Sequence, residues 1–352
     1  MTTARGGAAT ALSIVHGDDL ESLLGVLAEE LPGASADPFA RPMVIVRNGV
    51  QRRWLTQRLA TWAGPEGICA GLDMVSWPGL LARLENDVVG VHDAWRPDRL
   101  VWPVLAALTD SDKPELQLVR RHVENSPDRF RAGRRLARLM SSYGRFRPDW
   151  TIAWDDERPA GPLTASDSWQ PVLWRELRQR VDSPSSPEQA DRLIAALPTS
   201  PVEASPVVWW FAPELPLDPQ ERRVLAALAE RRDVRLLVLT PTPGRSERVV
   251  APGTARSASL IRSLGGYPLN ARLQRLAWER AQCWPAARQR SVPALPRPSS
   301  LLGRLQHSIA LDAQAIPGPV DDTVQVFASH GLDRQVEVLR DCLLYTSDAA
   351  DE

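Results

Sequence analysis

Residues 206–241, PVVWWFAPELPLDPQERRVLAALAERRDVRLLVLTP, set the architecture of this 352-residue chain. The run 207–211 is short and apolar, residues 217–231 repeat apolar side chains at helical spacing, and residues 234–239 form a second apolar run. Short apolar runs on either side of an amphipathic helix are typical of a parallel sheet that is covered on both faces. The stretch therefore predicts strand, helix and strand, and the loop 212–217 lies where such a sheet binds its ligands.

Two further strand–turn–helix patterns open the chain. Residues 11–15 predict a strand, and Asp18 or Asp19 is placed to cap the helix that follows. Residues 43–46 predict a second strand, followed by a helix over residues 50–63. Repetition of this order favours an α/β fold built on a parallel sheet.

The remaining segments predict a large helical region and a loosely organised end. Between residues 77 and 197 the apolar spacing is helical, and Ser126 is expected to cap a helix that runs to about residue 145. Residues 285–300 are rich in Pro, Ser and Arg and predict a linker. Residues 323–328 predict a strand, and residues 332–340 predict a final helix.

These patterns divide the chain into segments of different character. We expect the first half of a core domain over 1–90, a helical accessory insertion over 91–200, the second half of the core domain over 201–282, a linker with a short helix over 283–320, the start of a second core domain over 321–341, and a separate tail over 342–352.

Composition excludes some classes of protein. The formal net charge is −1, so no bulk positive field recruits nucleic acid, although local patches remain compatible with binding. Cys69, Cys283 and Cys342 are too widely spaced for a zinc knuckle or a redox motif. The first residues lack a signal-peptide core and no apolar run approaches the length of a membrane span, so we expect a reduced, cytoplasmic chain without membrane contact.

The residues that nucleotide hydrolysis requires are missing. A phosphate-binding loop needs a lysine that reaches the phosphates, but Lys113 is the only lysine and lies elsewhere. The turn after the first strand, VHGDDLES, instead carries acids that repel phosphate. After residue 211, Glu214 is present, but no aspartate precedes it to hold Mg²⁺. The five histidines show no metal-ligand spacing, and we expect no catalytic, cofactor or metal site in this chain.

A nucleic-acid surface is predicted next to the second strand. Arg47, Arg52 and Arg53 follow that strand, with Asn48 in the turn and Trp54 beside them. Arginine supplies phosphate contacts, and tryptophan supplies a platform for bases. The alternative is that Trp54 belongs to the core and the arginines are merely solvated.

A second basic surface is predicted on the helix near residue 138. Residues 128–147 contain seven arginines, and four of them form a stripe at steps of three to four residues: Arg131, Arg134, Arg135 and Arg138. Such a stripe faces DNA, an acidic partner, or only solvent. Spacing alone leaves these alternatives open.

Four segments of the chain resemble a known family. They are ALSIVHGDDLESLL, MVIVRNGVQRRWLTQRLA with GICAGLD, YGRFRPDWTIAW, and VQVFASHGLDRQVEVLRD. In this order they resemble the amino-terminal part of RecC, the gamma subunit of exodeoxyribonuclease V (RecBCD). The run RPDW over 147–150 and the pattern HxxxRxVEVL over 330–339 are the most specific. The resemblance extends over nearly the whole chain to residue 341, sparsely between the motifs.

The resemblance implies a helicase-like (RecA-like) parallel sheet core whose ATP site is degenerate. It implies a non-motor subunit that splits the duplex, guides single strands and scans for the Chi signal, with RecB-like and RecD-like partner subunits that use ATP and Mg²⁺. Double-stranded DNA ends and single-stranded DNA are the implied substrates. The candidate DNA contacts are Arg47, Asn48, Arg52, Arg53, Trp54, Arg134, Arg138, Leu139 and Arg147.

The chain departs from the family at several of these positions. Arg138, Ser141 and Ser142 stand where acids occur in the enterobacterial relative, and Arg47 and Arg53 stand where glutamines occur. We therefore do not expect this chain to recognise the same Chi sequence as the enterobacterial relative. A path for DNA along these residues is still compatible with the substitutions.

The tail is not family-like. Residues 342–352, CLLYTSDAADE, match one reading frame of a sequencing-library adapter. We therefore expect a RecC-like fragment that ends in a spurious segment.

Two other classes of function remain open from the sequence. One is an α/β enzyme that uses a nucleotide or sugar nucleotide without a phosphate-binding loop, for which only Asp18, Asp19 and Glu214 are suitably placed. The other is a protein-interaction scaffold without DNA contact, whose arginine stripe meets an acidic partner.

Overall fold

The structure is a computed structural model that describes residues 12–31, 41–64, 67–88, 94–199, 207–211, 217–240, 270, 284, 287–293, 295–314 and 316–348. The chain forms two compact units. The first comprises Met1–Pro243 with Ala277–Ala294, and the second comprises Gly244–Leu276 with Leu295–Glu352. The division into functional domains made from the sequence stays a prediction.

The first unit contains a six-stranded parallel sheet in the order β3-β2-β4-β5-β1-β6. The expected α/β fold with a parallel sheet is therefore confirmed, while its RecA-like character stays a prediction. The strands are β1 (Leu12–Gly17), β2 (Met43–Val46), β3 (Asp73–Ser76), β4 (Val207–Phe211), β5 (Asp233–Leu239) and β6 (Arg288–Ser291).

Ten helices of this unit lie within the described residues. They are α1 (Leu20–Glu30), α2 (Gly49–Trp62), α3 (Trp77–Val88), α4 (Pro97–Asp110), α5 (Gln117–Glu124), α6 (Arg129–Phe146), α7 (Pro148–Asp155), α8 (Trp169–Arg180), α9 (Ser186–Ala196) and α10 (Pro219–Ala229). The predicted helices in this part of the chain are thus found, with small shifts of their ends.

Successive side chains along a strand pack into two apolar clusters, one on each face of the sheet. Ile14 and Trp210 pack on one face of the sheet with α3, α9 and α10. Val15, Trp209 and Phe211 pack on the other face with α1 and α2. Because both faces are covered, the central strands need apolar residues at every position, which explains the unbroken run in β4.

A third apolar cluster lies among helices α4 to α8. Trp95 and Trp174 are fully buried there, with ring centroids 4.7 Å apart. Each indole N–H has an acceptor: Trp95 donates to the carbonyl of Ser183, and Trp174 donates to Asp155. Because each buried indole N–H keeps a hydrogen bond, the apolar contact of these rings stabilises the fold without the cost of an unsatisfied donor.

One buried carboxylate joins α6 to α10. Asp218 caps α10 by accepting from the backbone N–H groups of Gln220 and Glu221, each at 2.9 Å. Arg145 of α6 donates to the same carboxylate at 2.8 Å. The side chain of Asp218 is only 4% exposed, so this contact is largely shielded from water.

Two strands were missed from the sequence. β3 is only four residues long, and β6, with the sequence RQRS, lies inside the segment predicted to be a linker. Gln289 of β6 bonds to His16, and Arg290 forms an ion pair with Glu30 of α1. Polar contacts rather than apolar burial therefore hold β6 at the edge of the sheet, and hydrophobic pattern could not detect it.

One helix cap differs from that expected, and one helix was not separately predicted. Asp128 rather than Ser126 caps α6, since its carboxylate accepts from the N–H of Arg131 at 2.8 Å. The RPDW run begins a separate helix, with Pro148 in the first turn of α7. Proline fits there because a first-turn N–H has no partner within the helix.

The second unit contains two described helices, α11 (Leu301–Leu311) and α12 (Gly331–Asp348). The strand expected over residues 323–328 is wrong, because these residues form no ladder. Helix α12 includes residues 342–348, and Leu332, Val336 and Leu339 are exposed along it. The helix predicted over residues 270–281 lies almost entirely outside the described residues.

Within the described ranges, no helix is both long enough and apolar enough to cross a membrane.

The Asp218 contact predicts a measurable coupling between α6 and α10. We expect Asp218→Ala to lower the free energy of unfolding by about 2–3 kcal/mol, because it removes a cap and a buried acceptor. In a double-mutant cycle with Arg145→Ala, urea denaturation should give a coupling of about 0.5–1 kcal/mol, since Arg145 is half exposed.

Asp128→Ala serves as the control, because it removes a cap of α6 that has no second helix as a partner among the described contacts. That variant should lose only about 1 kcal/mol. Strict additivity of Asp218→Ala and Arg145→Ala would contradict the coupling.

Candidate nucleic-acid interface

The turn between β1 and α1 occupies the carboxyl edge of the sheet. Asp19 caps α1, and its carboxylate accepts from the backbone N–H of Ser22 at 2.7 Å and from the Ser22 hydroxyl at 2.8 Å. A Cβ on Gly17 would lie 2.8 Å from the side chain of Leu23. A carboxylate and a leucine thus fill positions where a phosphate-binding turn presents free N–H groups.

His16 links three strands at this edge. Its Nδ1 lies 2.9 Å from the hydroxyl of Thr240, and its Nε2 lies 3.0 Å from Oε1 of Gln289. Burial lowers the pKa of His16, and the hydrogen bond to Gln289 opposes this only in part. His16 is therefore a neutral imidazole that donates to Gln289 and accepts from Thr240. Both ring nitrogens thus hold neighbouring segments of the sheet together, which is a structural role.

Another candidate for an enzyme site at this edge follows β4 in the sequence. Glu214 and the rest of residues 212–216 lie outside the described residues. In the described ranges, no group of three or more His, Cys, Asp and Glu side chains is placed to hold a metal ion.

The residues after β2 form the start of α2. Asn48 is the cap, and its side chain accepts from the N–H of Gln51 at 2.9 Å. The backbone N–H of Arg47 donates to the side chain of Gln51 at 2.6 Å. Arg47 is exposed at this corner of the sheet. The predicted contacts Arg47 and Asn48 thus lie together, with Asn48 already acting as a helix cap.

A groove of about 450 Å³ lies beside α2. Arg52, Arg53, Thr56 and Gln57 line its helical side, and Cys69 lies in the segment opposite. Within the described part of the chain, neither arginine is paired with a carboxylate. The Thr56 hydroxyl already donates to the backbone carbonyl of Arg52 at 2.9 Å. The groove therefore offers two guanidinium groups and an amide as donors, a set that suits an anionic, hydrogen-bonding ligand.

Sequence reasoning found the arginines of this groove but missed Thr56 and Gln57. Arg52 with Thr56 and Arg53 with Gln57 are pairs spaced by four residues, and such pairs lie side by side on a helix. That spacing could have indicated them. Cys69 required the fold, because nothing in the sequence places the segment before β3 opposite α2.

Trp54 is drawn toward the core. It is half-buried, packs against the apolar cluster on its face of the sheet, and stacks on Phe211 with ring centroids 6.2 Å apart and planes at 25°. The described arrangement gives it a packing role, as one of the two interpretations of the sequence expected. Stacking of a base on Trp54 stays a prediction.

The arginine stripe is exposed as its spacing predicts. Gly133, Ala137 and Met140 form the buried side of α6, and a Cβ on Gly133 would lie 2.7 Å from Leu105 of α4. The opposite side carries Arg131, Arg134, Arg135 and Arg138, all exposed. Among the described residues none of these four forms an ion pair. We call these four residues the α6 arginine row.

Leu139 and Arg147 are placed differently from that row. Leu139 is partly buried against the helical cluster. Arg147 donates to both carboxylate oxygens of Asp149, at 3.0 and 2.6 Å, and its guanidinium lies 3.8 Å from the ring centroid of Trp150. The ion pair lowers the pKa of Asp149. The RPDW run thus joins the end of α6 to the first turn of α7, and its arginine is engaged by Asp149 and Trp150.

Comparison with known proteins agrees with this architecture. The model of the family described as RecC, N-terminal domain matches residues 12–312. The chain is 31% identical over 362 residues to the RecBCD enzyme subunit RecC of Mycobacterium tuberculosis, covering 95% of this chain and 33% of that protein. It is 30% identical over 343 residues to the subunit of the same name from Mycolicibacterium smegmatis, covering 92% and 30%. The chain thus spans about a third of these relatives.

The buried His16 predicts a specific dependence of stability on pH. Its pKa in the folded chain is below the ordinary value of 6.5. As the pH falls below that value, the unfolded chain takes up a proton that the folded chain does not. The free energy of unfolding should then fall by up to about 1.4 kcal/mol per pH unit from this group.

Denaturation of the wild type and of His16→Gln between pH 7.5 and pH 5 isolates this component, because the carboxylates titrate alike in both. The stability difference between them should shrink as the pH falls. His122→Gln, which changes an exposed histidine, should keep the wild-type slope. A His16→Gln variant with the same slope would contradict the assignment.

Proposed function

Because the chain belongs to the family of RecC N-terminal domains, we propose that it is a non-motor, DNA-binding part of a helicase–nuclease. In this proposal the complex processes double-strand DNA ends for recombinational repair. The chain helps to split the duplex and guides or scans single strands. The resemblance to RecC and the arginine surfaces support this function together.

The groove beside α2 carries the proposal. Arg52 and Arg53 line it without a carboxylate partner in the described part of the chain, and Thr56 and Gln57 add uncharged hydrogen-bonding groups. Arginines that are not neutralised by the protein are available to phosphate, and binding then releases counterions. The α6 arginine row adds four further cations of the same kind.

The edge of the sheet supports a role without ATP hydrolysis. Asp19 and Leu23 fill the β1–α1 turn, and the only lysine is Lys113. A nucleotide would meet a carboxylate at the helix terminus that should hold its phosphates. In this proposal the chain itself is catalytically inactive, and partner subunits use ATP and Mg²⁺.

The partners are proposed from the names of the relatives. The mycobacterial proteins are named as RecC subunits of the RecBCD enzyme. We accordingly assign RecB-like and RecD-like partner subunits and a cytoplasmic location, with duplex ends and single strands as the DNA substrates. Sugar-nucleotide chemistry is not favoured, because Asp19 is engaged as a helix cap.

The groove predicts which arginines set the affinity for DNA. Arg52→Ala with Arg53→Ala should weaken binding of the 352-residue chain to single-stranded DNA by roughly tenfold at low salt. The slope of log K against log salt should fall by about 0.7 for each lost phosphate contact. Fluorescence anisotropy of a labelled oligonucleotide, measured across a salt series, gives both quantities.

Arg58→Ala is the matched control on the same helix. Arg58 is already paired with Glu21, 2.6 Å away, so its removal should leave both the affinity and the slope nearly unchanged. Equal effects of the control and the double variant would show a general charge effect. Unchanged affinity in the double variant would remove the groove from the DNA path.

A further inference from the structure

An aromatic pair lies exposed on the helical part of the first unit. Trp102 of α4 and Phe130 of α6 contact each other, with ring centroids 5.5 Å apart and planes at 51°. Trp102 is 64% exposed and Phe130 is 45% exposed. Most of the surface of both rings is therefore accessible although the rings touch.

This exposure contrasts with three tryptophans that are buried in the helical cluster. Trp95, Trp154 and Trp174 are fully buried, and each indole N–H has an acceptor in the chain. Trp102 lies instead on the outer side of α4, whose inner side is formed by Val101 and Val104. The helical core is thus complete without Trp102, and the pair is available to a partner.

The surroundings of the pair are positively charged. Arg99 lies three residues before Trp102, and Arg134 lies four residues after Phe130, so each shares a helix face with one ring. Arg131, Arg135 and Arg138 continue the α6 arginine row.

The acid nearest to each ring in the sequence is engaged. Asp98 is paired with Arg96, and Asp128 caps α6. The positive charge around the two rings therefore favours binding of an anionic ligand.

We infer that Trp102 and Phe130 form a stacking platform for the bases of single-stranded nucleic acid, and that Arg131 and Arg134 hold its phosphates. This inference rests on the proposed function and adds a second contact surface to it. A single strand carries anionic groups and flat apolar rings at a regular spacing, so it satisfies both features of the surface at once. An acidic protein segment would neutralise the arginines but would leave the rings without a matching group.

Stacking predicts a dependence on bases that charge alone does not produce. Because every base has an aromatic face, stacking tolerates any sequence but is lost when the base is missing. Duplex DNA keeps its bases paired and stacked internally. The platform should therefore favour single strands over duplexes and intact strands over abasic ones.

The test compares an oligothymidylate of about 15 nucleotides with the same oligonucleotide carrying abasic sites, in binding by the whole 352-residue chain. The wild type should bind the intact strand about tenfold more tightly than the abasic strand. Trp102→Ala should remove most of this difference by weakening only the intact strand. Trp102→Phe, which keeps a ring, should retain most of it.

Leu118→Ala is the control for loss of an exposed apolar side chain, since Leu118 is exposed on the neighbouring helix α5, and it should behave as the wild type. Equal binding of intact and abasic strands by the wild type would overturn the platform, while arginine-dependent binding would still stand. A Trp102→Ala variant that keeps the wild-type preference for intact DNA would overturn it as well. If the wild type binds neither strand at low salt, both the platform and the proposed function fail.

Discussion

Strand β4 must be buried on both faces, and the arrangement of the first unit follows from that requirement. It lies between β2 and β5, so each of its side chains meets a helical layer. Trp210 packs edge-on against Trp77, with centroids 5.2 Å apart, and Phe211 stacks on Trp54 from the opposite layer. Helix α2 is held by its apolar side, and its arginines are consequently left facing outward.

The carboxyl edge of the sheet is the place where parallel sheets usually bind ligands, but its polar side chains are hydrogen-bonded within the chain. At the carboxyl edge, His16 is hydrogen-bonded to Thr240, which follows β5, and to β6, and Asp19 is hydrogen-bonded to the first turn of α1. Polar groups that are satisfied within the chain stabilise an edge and have little capacity left for a ligand. Arg52, Arg53 and the α6 arginine row, which have no carboxylate partner among the described residues, lie instead on the outer surfaces of α2 and α6.

The pattern of hydrophobic residues predicted most strands of the sheet, namely those that form because their apolar side chains are buried. Strands β1, β2, β4 and β5 are apolar, and their positions follow from the sequence. β6 has no apolar residue and depends on Gln289 and Arg290 meeting partners distant in sequence, so no local pattern reveals it. The cap of α6 was also assigned to the wrong residue, because Ser126 satisfies the residue preference for a helix cap as well as Asp128 does.

The candidate site was predictable in residue type but not in arrangement. The spacing of the arginine row placed it on one side of α6, and the structure shows that side exposed. Arg147 has the same side chain, yet its contacts with Asp149 and Trp150 engage it within the chain. Trp102 and Phe130 are far apart in sequence and meet only because α4 packs on α6, so their pairing required the fold.

Photo-crosslinking of the whole chain to single-stranded DNA substituted with 5-bromodeoxyuridine tests most directly whether DNA lies on these outer surfaces. The crosslinked peptides, identified by mass spectrometry, should come from α2 between Gly49 and Trp62 and from α4 and α6 around Trp102 and Phe130. Addition of salt should reduce these crosslinks together. Crosslinks confined to α12, Gly331–Asp348, or crosslinks that persist unchanged at high salt, would contradict this account.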